Sequence, residues 1–298
     1  MDKYTFADML MEALSQKLDG SCQVELIDIR KNNGGIEEGF TIRTKKDAVF
    51  SMYSLTEYYR WYQSGWTIGQ IVCHILLEYT MAPKHFFLPT AEELVDYGKM
   101  KDRLYLRLIN RDWNRDYLED RLFFPILDLA AVCCIDIRDS KNAKEAVQAG
   151  LSVLKEQFLR WGVSLETVFA QALHNMKQNG CYRLLRLTEL LHLSEEKAIE
   201  EEAGLWAFQD ISGRYSGTTA LFYPELLEQA ARTFGEGFYI LPSSIYEVLL
   251  LPEGKGIPPE ELKEIIAEAN EKAGKKEESL SDVIYHYDRD TKNLCVVR

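Results

Sequence analysis

The chain has 298 residues, 46% hydrophobic and 28% charged, a composition typical of a folded globular protein that excludes disorder over most of its length. Its 35 basic and 47 acidic side chains give a net charge of −12, which argues against non-specific binding to nucleic acid or to an anionic membrane. The length suits one large domain or two. We predict an N-terminal α+β subdomain over residues 1–95 and a C-terminal α+β domain over residues 96–298.

Neither a membrane-spanning helix nor a secretory signal is predicted. The longest apolar run, Phe123 to Ile137, is interrupted by Asp128 and is shorter than the roughly 20 residues that a spanning helix needs. Residues 1–4 include an acidic side chain and no apolar run follows, unlike a signal peptide. The six cysteines form no CxxC pair, and we expect them to be reduced and buried. We therefore expect a soluble cytoplasmic protein with no membrane or nucleic-acid partner.

The first third of the sequence predicts a helix, a β-hairpin and an aromatic-rich helical region. Apolar residues recur at helical spacing over residues 4–18, and short apolar runs flank the turn signal Asn32 to Gly35. Residues 53–62 contain five aromatic side chains, which we expect to pack over the hairpin. The next helix is predicted to begin at Thr67, with a capping glutamine three residues later, and to end at Pro83.

The remaining two thirds predict short strands interspersed with helices. Residues 104–109 alternate as a strand does, and the more continuously apolar segment over 127–137 is typical of a central strand. Helices are predicted over 142–160, 165–176, 183–203 and 224–234 and from Pro258 to Ala273. Further strands are predicted over 205–208, 218–222, 238–241 and 245–251, with a final hairpin over 283–297.

Together these elements predict an α+β fold. It consists of an N-terminal helix plus β-hairpin and aromatic-rich helix, followed by a mixed or antiparallel sheet flanked by helices.

Common catalytic and cofactor motifs are absent from the sequence. There is no phosphate-binding GxxxxGK[ST] loop, no GxGxxG after a strand, no HExxH and no GxSxG. We therefore predict no cofactor and no metal, although a site assembled from distant residues leaves no such motif.

The most site-like short segment is the predicted turn Pro242-Ser243-Ser244, with Glu247 beyond it. Two hydroxyl groups in a turn between strands can bind a ligand or a partner's backbone. They can equally accept hydrogen bonds from the amides of the turn itself, and this second interpretation explains the residues fully. We keep the four residues as candidate binding residues, with the turn interpretation favoured.

Two aspartates mark the ends of the predicted central strand. A buried carboxylate needs a partner, and such groups are enriched at functional sites. We expect Asp128 to be exposed near the start of the strand and Asp136 to lie at its edge.

Several segments, taken in chain order, are similar to those of one known family. The family's segments "YL…YY…Y..G…I", "LIN…N…LDLAVVF", "WGI…A..N", "YILPSSIHEVI" and "LSD..Y.Y" correspond to residues 53–71, 108–132, 161–175, 239–248 and 280–287. The chain thus resembles domain-of-unknown-function family 5688 of gut Firmicutes and, more weakly, the YtpQ family. The resemblance implies a bacterial, intracellular accessory protein and supplies no activity or catalytic residue.

Three functional hypotheses follow. The leading one is a non-enzymatic binding or regulatory protein, with another protein as the expected partner, because catalytic motifs are absent and tyrosine and tryptophan offer contact surface. A clear, deep pocket with converging ionisable groups would rule it out. The alternative is a hydrolase-like enzyme built from cysteine, histidine and carboxylate side chains. An acidic mimic of nucleic acid is the third.

Overall fold

A computed structural model of the chain describes residues 1–18, 20, 22–44, 50–138, 150–190, 204–242, 244–264 and 276–297. Within these ranges the fold is α+β, as predicted, and every strand pairs antiparallel in one of three sheets. The described part of the chain has no helix with the length and apolar character required to cross a membrane.

The first sheet belongs to an N-terminal unit of helices and a β-hairpin. Its elements are α1 (Lys3–Lys17), β1 (Gln23–Arg30), β2 (Ile36–Arg43), β3 (Met52–Ser54), α2 (Leu55–Gln63) and α3 (Ile68–His85). The strands lie side by side in chain order. The predicted helix and hairpin are confirmed, and the hairpin turn contains the expected asparagines and glycines.

A single apolar core holds this unit together. Phe6 and Leu10 of α1 are fully buried against Phe40 of β2. The rings of Phe40 and Tyr53 stack with centroids 5.2 Å apart, and Tyr58 is also buried. These aromatic side chains therefore pack over the hairpin, as the sequence predicts.

The bounds of α3 agree with the prediction at one end only. At the start, the Thr67 hydroxyl accepts a hydrogen bond from the amide of Gln70 (3.3 Å), and the Gln70 side chain accepts one from the Thr67 amide (2.9 Å). The predicted stop at Pro83 is wrong, because α3 continues to His85. Proline has a backbone φ suited to a helix, and its missing N–H removes only one hydrogen bond in the last turn.

The second, central sheet is built around one fully buried strand. Its strands are β4 (Leu104–Asn110), β5 (Phe123–Ile126), β6 (Leu129–Asp136) and β7 (Gly150–Ser152), and β6 pairs with the other three. All eight residues of β6 are buried, which agrees with the continuous apolar run. The strand begins two residues later than predicted, because Leu127 adopts a left-handed backbone conformation (φ 54°) in the turn after β5.

Short helices surround the central sheet and one longer helix packs on it. They are α4 (Ala91–Leu94), α5 (Tyr97–Met100), a 3₁₀ turn (Lys101–Arg103), α6 (Arg115–Leu118), α7 (Lys155–Trp161) and α8 (Leu165–Asn179). The buried face of α8 includes Val168, Ala172 and Met176, which share a core with β4 and β6.

The third sheet contains the strands of the last third of the chain. They are β8 (Tyr182–Arg186), β9 (Trp206–Asp210), β10 (Phe238–Leu241), β11 (Leu249–Pro252), β12 (Tyr285–Tyr287) and β13 (Leu294–Val296), in the spatial order β13-β12-β10-β11-β9-β8. The helices that accompany them include α9 (Leu187–Leu190), α10 (Pro224–Phe234) and a 3₁₀ helix (Gly217–Phe222), and residues 259–264 are helical as predicted. The predicted final hairpin is confirmed as β12 and β13.

Several predicted elements are wrong in type. Residues 150–152 and 182–186 form strands instead of helices, because pairing with β6 and β9 outweighs local helical preference. Residues 217–222 form a 3₁₀ helix instead of a strand. There the Thr219 hydroxyl donates to the Ser216 carbonyl (2.6 Å) and the Ser216 hydroxyl accepts from the Thr218 amide (3.2 Å), which favours a turn.

Other expectations fall outside what the structure describes or remain predictions. The predicted helical residues 142–149, 191–203 and 265–273 lie outside the described residues. The domain boundary after residue 95 stays a prediction. Hydrogen bonds do place residues before it against the central sheet, since the Phe87 amide donates to the Ile137 carbonyl (2.7 Å) and the Trp161 indole donates to the Leu94 carbonyl (2.9 Å).

Two buried asparagines join the three sheets, and we call them the asparagine interlock: Asn33, in the β1–β2 turn, and Asn114, after β4. The Asn33 amide donates to Asn114 Oδ1 (2.7 Å), and Asn114 Nδ2 donates to Asn33 Oδ1 (2.9 Å) and to the Asn110 carbonyl (2.8 Å). Asn33 Nδ2 also donates to the Ser279 carbonyl (2.8 Å), ahead of β12. Asn33 adopts a left-handed conformation (φ 58°), which asparagine tolerates better than most residues.

Replacing Asn114 with alanine should destabilise the protein by about 3 kcal/mol, because a buried donor and acceptors on Asn33 and Asn110 lose their partner. We expect urea denaturation to show this loss. The matched control is Asn293→Ala, since Asn293 is exposed in the last hairpin. Equal stability of the two variants would contradict a structural role for the interlock.

Candidate functional site

A cavity of about 290 Å³ lies where the end of β6, the start of β4, the end of α8 and the loop after β9 meet. It is lined by Asp102, Arg103, Leu104, Asp136, Arg138, Asn179, Arg214 and Tyr215. We call it the arginine cavity. Its three guanidinium groups and two carboxylates give a local charge of +1, whereas the whole chain carries −12.

The back of the cavity is a buried ion pair at the end of β6. Arg138 Nε and Nη2 donate to the two carboxylate oxygens of Asp136 at 2.8 and 2.7 Å, and the Arg138 side chain is only 3% exposed. Burial alone would lower the pKa of Arg138, but the hydrogen bonds and the negative charge of Asp136 outweigh burial and raise it. Arg138 therefore remains charged and forms a paired, charge-assisted contact with the Asp136 carboxylate.

Arg103 is held against the same wall by its backbone neighbours and by an aromatic ring. Its Nη1 donates to the carbonyls of Asp136 (3.1 Å) and Arg138 (3.4 Å), and its guanidinium carbon lies 4.0 Å from the centroid of the Phe87 ring. Across the described residues, no hydrogen bond engages Nε or Nη2 of Arg103. These donors remain for a ligand, on a guanidinium group whose orientation is already fixed.

The loop after β9 carries Arg214 and Tyr215, and Asp210 folds it. The Asp210 carboxylate accepts hydrogen bonds from the amides of Cys181 (2.7 Å), Arg214 (3.1 Å) and Tyr215 (2.8 Å) and from the Ser212 hydroxyl (2.6 Å). Local turn formation of this kind is typical of aspartate. The loop is thus shaped by a buried carboxylate at the last position of a strand.

Arg214 is the least constrained cation of the cavity. Its Nη1 lies 3.6 Å from Asp136 Oδ2, and no hydrogen bond to its guanidinium group is made within the described ranges. Arg138 Nη1 donates to the Arg214 carbonyl (2.8 Å), so the backbone of the loop is anchored while the side chain keeps its donors.

Tyr215 contributes a neutral phenol. Burial and, second, the nearby charge of Asp136 raise its pKa to about 12, so it is protonated at neutral pH. It can donate or accept a hydrogen bond but cannot act as a base there. No histidine, cysteine, serine, threonine or lysine lines the cavity within the described residues. The arrangement is therefore suited to holding an anionic group and lacks the usual nucleophiles.

The predicted turn residues lie elsewhere. Pro242 is buried, and Ser244 and Glu247 are half-buried; Ser243 lies outside the described residues. The Ser244 hydroxyl accepts hydrogen bonds from the amides of Tyr246 (3.2 Å) and Glu247 (3.1 Å), and burial raises the pKa of the Glu247 carboxyl. None of the three described residues lines the arginine cavity. Their role in binding stays a prediction.

Both aspartates of the central strand differ from expectation. Asp128 is half-buried instead of exposed, and its carboxylate accepts hydrogen bonds from the hydroxyls of Ser281 and Tyr285, both at 2.6 Å. Asp136 does end the strand, but it is buried, 7% exposed, and paired with Arg138. The sequence did contain a signal for this ion pair: an acidic and a basic residue stand two positions apart at the end of an apolar run, in Asp136-Ile137-Arg138.

The cysteines only partly match the prediction of buried thiols. Cys133 and Cys134 are buried, and burial raises the pKa of each thiol, but Cys73, Cys181 and Cys295 are exposed. One pair of neighbouring strand residues is relevant to the hydrolase-like alternative, because it combines a cysteine with a histidine. Cys295 lies opposite His286 in the β12–β13 pair, and His286 Nε2 contacts the carboxylate of Glu253. No hydrogen bond joins Cys295 to His286.

The described residues contain no group of three or more histidine, cysteine or acidic side chains placed to hold a metal ion.

Comparison with known proteins matches residues 3–289 to a family of unknown function, DUF5688. The chain belongs to this family. No curated protein and no solved structure matches it. In this DUF5688 protein, the segments that carry the resemblance include Asn110, Asn114, Asp128, Ser281 and Tyr285, whose hydrogen bonds join the sheets. The cavity residues lie outside those segments, so the resemblance carries no information about the cavity.

The raised pKa of Tyr215 makes stability depend on pH in the alkaline range. A pKa raised on folding means that the folded protein favours the protonated phenol, so stability is intact below pH 10 and falls as pH rises towards 12. When the pH is raised from 9 to 11, the free energy of unfolding should fall in both proteins. We expect the fall to be about 1 kcal/mol smaller in Tyr215→Phe than in the wild type.

Urea denaturation at the two pH values checks this expectation. Tyr4→Phe is the control, because Tyr4 is 76% exposed. The same pH dependence in wild type and in Tyr215→Phe would show that the phenol is not protected as described.

Proposed function

We propose that this protein binds a small anionic ligand in the arginine cavity and acts by binding instead of covalent catalysis. One observation carries the proposal: Arg103 and Arg214 line the cavity with donors that are not hydrogen-bonded to any described residue. Asp136, by contrast, is already neutralised by Arg138.

The charge arrangement favours an anion. When the Arg138–Asp136 pair is set aside, two cations and the exposed carboxylate of Asp102 remain in the lining. Guanidinium groups bind carboxylate and phosphate with paired, charge-assisted hydrogen bonds. The Arg103 guanidinium is held by Phe87, and the backbone of Arg214 is held by Asp210, before any ligand arrives, which lowers the entropy cost of binding.

The size of the cavity limits the ligand. About 290 Å³ lies just below the usual range for small-molecule sites, roughly 300–1,000 Å³. A metabolite-sized molecule suits this volume, whereas a folded partner or a nucleic-acid strand does not.

The enzyme alternative gains some support from the cavity, because ionisable groups do converge there. Among the described lining residues the cavity has no usual nucleophile, since the one hydroxyl they contribute is the protonated phenol of Tyr215. The cysteine, histidine and carboxylate that come nearest to a hydrolase arrangement, Cys295, His286 and Glu253, are not among the lining residues. The nucleic-acid mimic gains no support from the cavity, because a mimic presents acidic side chains and this cavity is lined by arginines.

The cellular setting that we propose rests on the resemblance and on composition. A gut Firmicutes bacterium is the proposed source, and the cytoplasm is the proposed location. There the protein would act as an accessory protein whose binding to a protein partner depends on the ligand.

Replacing Arg214 with glutamine should weaken anion binding about tenfold or more, because a charge-assisted hydrogen bond contributes about 1.5–3 kcal/mol. Isothermal titration calorimetry in low-salt buffer measures this, with inorganic phosphate and glutarate as probes. Arg232→Gln, an exposed arginine on α10, has the same change of charge and should bind as the wild type does.

Two results would overturn the proposal: no binding of either probe by the wild-type protein, or equal affinities of the wild type and Arg214→Gln. Urea denaturation of each variant verifies that it is folded.

A further inference from the structure

We infer that the ligand of the arginine cavity is a zwitterion of the amino-acid class, with carboxylates for the arginines and a protonated amine for Asp102. This inference rests on the proposed function, since it assigns the chemical class of the ligand bound there.

The first step is the position of Asp102. It directly precedes Arg103 in the 3₁₀ turn that forms one side of the cavity, and its side chain is exposed at the cavity lining. In the described part of the chain, no ion pair and no hydrogen bond engages its carboxylate. Its negative charge in the same lining as two arginines repels a ligand that carries only negative charge.

The second step is the balance of signs. Two cations, Arg103 and Arg214, face one anion, Asp102, once the Arg138–Asp136 pair is set aside. A phosphate dianion would satisfy the arginines but would also bring its charge close to Asp102. A molecule with two carboxylates and one ammonium group complements all three side chains and the local charge of +1.

The third step is the rest of the lining. Among the described lining residues, Leu104 and Tyr215 also belong to the apolar core, so part of the cavity wall is uncharged. Asn179 Nδ2 donates to the Asn175 carbonyl (2.8 Å), so the orientation of this amide is fixed at the cavity wall. The volume of about 290 Å³ accommodates a free amino acid and excludes a long peptide.

The test compares glutamate with glutarate, which has the same carbon chain and carboxylates but no amine. We expect wild-type protein to bind glutamate about fivefold more tightly than glutarate in calorimetric titrations, a modest preference because Asp102 is solvent-exposed. Asp102→Asn should abolish the preference, by weakening glutamate and by tightening glutarate as repulsion is removed. Asp116→Asn, an exposed aspartate on α6, should leave the preference intact.

The outcomes separate this inference from the proposed function. If glutarate binds as tightly as glutamate and Arg214→Gln weakens both, the cavity binds anions but the zwitterion assignment is wrong. A preference for glutamate that survives in Asp102→Asn also overturns the assignment. If neither compound nor inorganic phosphate binds the wild type, the proposed function itself fails.

Discussion

The asparagine interlock is the contact on which the arrangement of the three sheets depends. Asn33 at the tip of the first hairpin and Asn114 just after β4 exchange two hydrogen bonds, Asn33 also bonds the backbone of the distant Ser279, and Asn114 bonds the end of β4 at Asn110. Both side chains are buried, so water cannot replace these hydrogen bonds if one partner is lost. Because the hydrogen bonds have fixed directions, they define how the N-terminal unit meets the central sheet, which apolar packing alone would leave less specific.

Carboxylates at strand ends also join one segment of the fold to another. Asp128, Asp136 and Asp210 each lie at the end of a strand or in the turn beside it, and each accepts hydrogen bonds from groups on another segment or in the following loop. Asp128 joins the central sheet to β12, Asp136 holds the Arg138 side chain, and Asp210 shapes the backbone of the loop that carries Arg214 and Tyr215. The cavity is therefore assembled by the contacts that hold the sheets together, and its geometry exists before a ligand binds.

An arginine-lined cavity in a protein of net charge −12 has a simple electrostatic consequence. The net negative charge of the chain repels a highly charged anion at long range, and the local arginines attract an anionic group at short range. Such a field favours small ligands that carry both signs of charge over nucleic acid or polyphosphate. This is the physical link between the composition of the chain and the class of ligand that the cavity suits.

The sequence by itself determined the elements whose cause is local. Helical spacing predicted α1 and α8, the Asn32–Gly35 turn predicted the first hairpin, and an uninterrupted apolar run predicted the central position of β6. Tertiary structure decided everything that requires a distant partner. Residues 182–186 form a strand because β9 lies beside them, and Asp136 is a site residue because Arg138, Arg103 and a loop 76 residues after Arg138 converge on it. A side chain's own sequence neighbours do not record which charges will surround it after folding, so the cavity could not be predicted from the sequence.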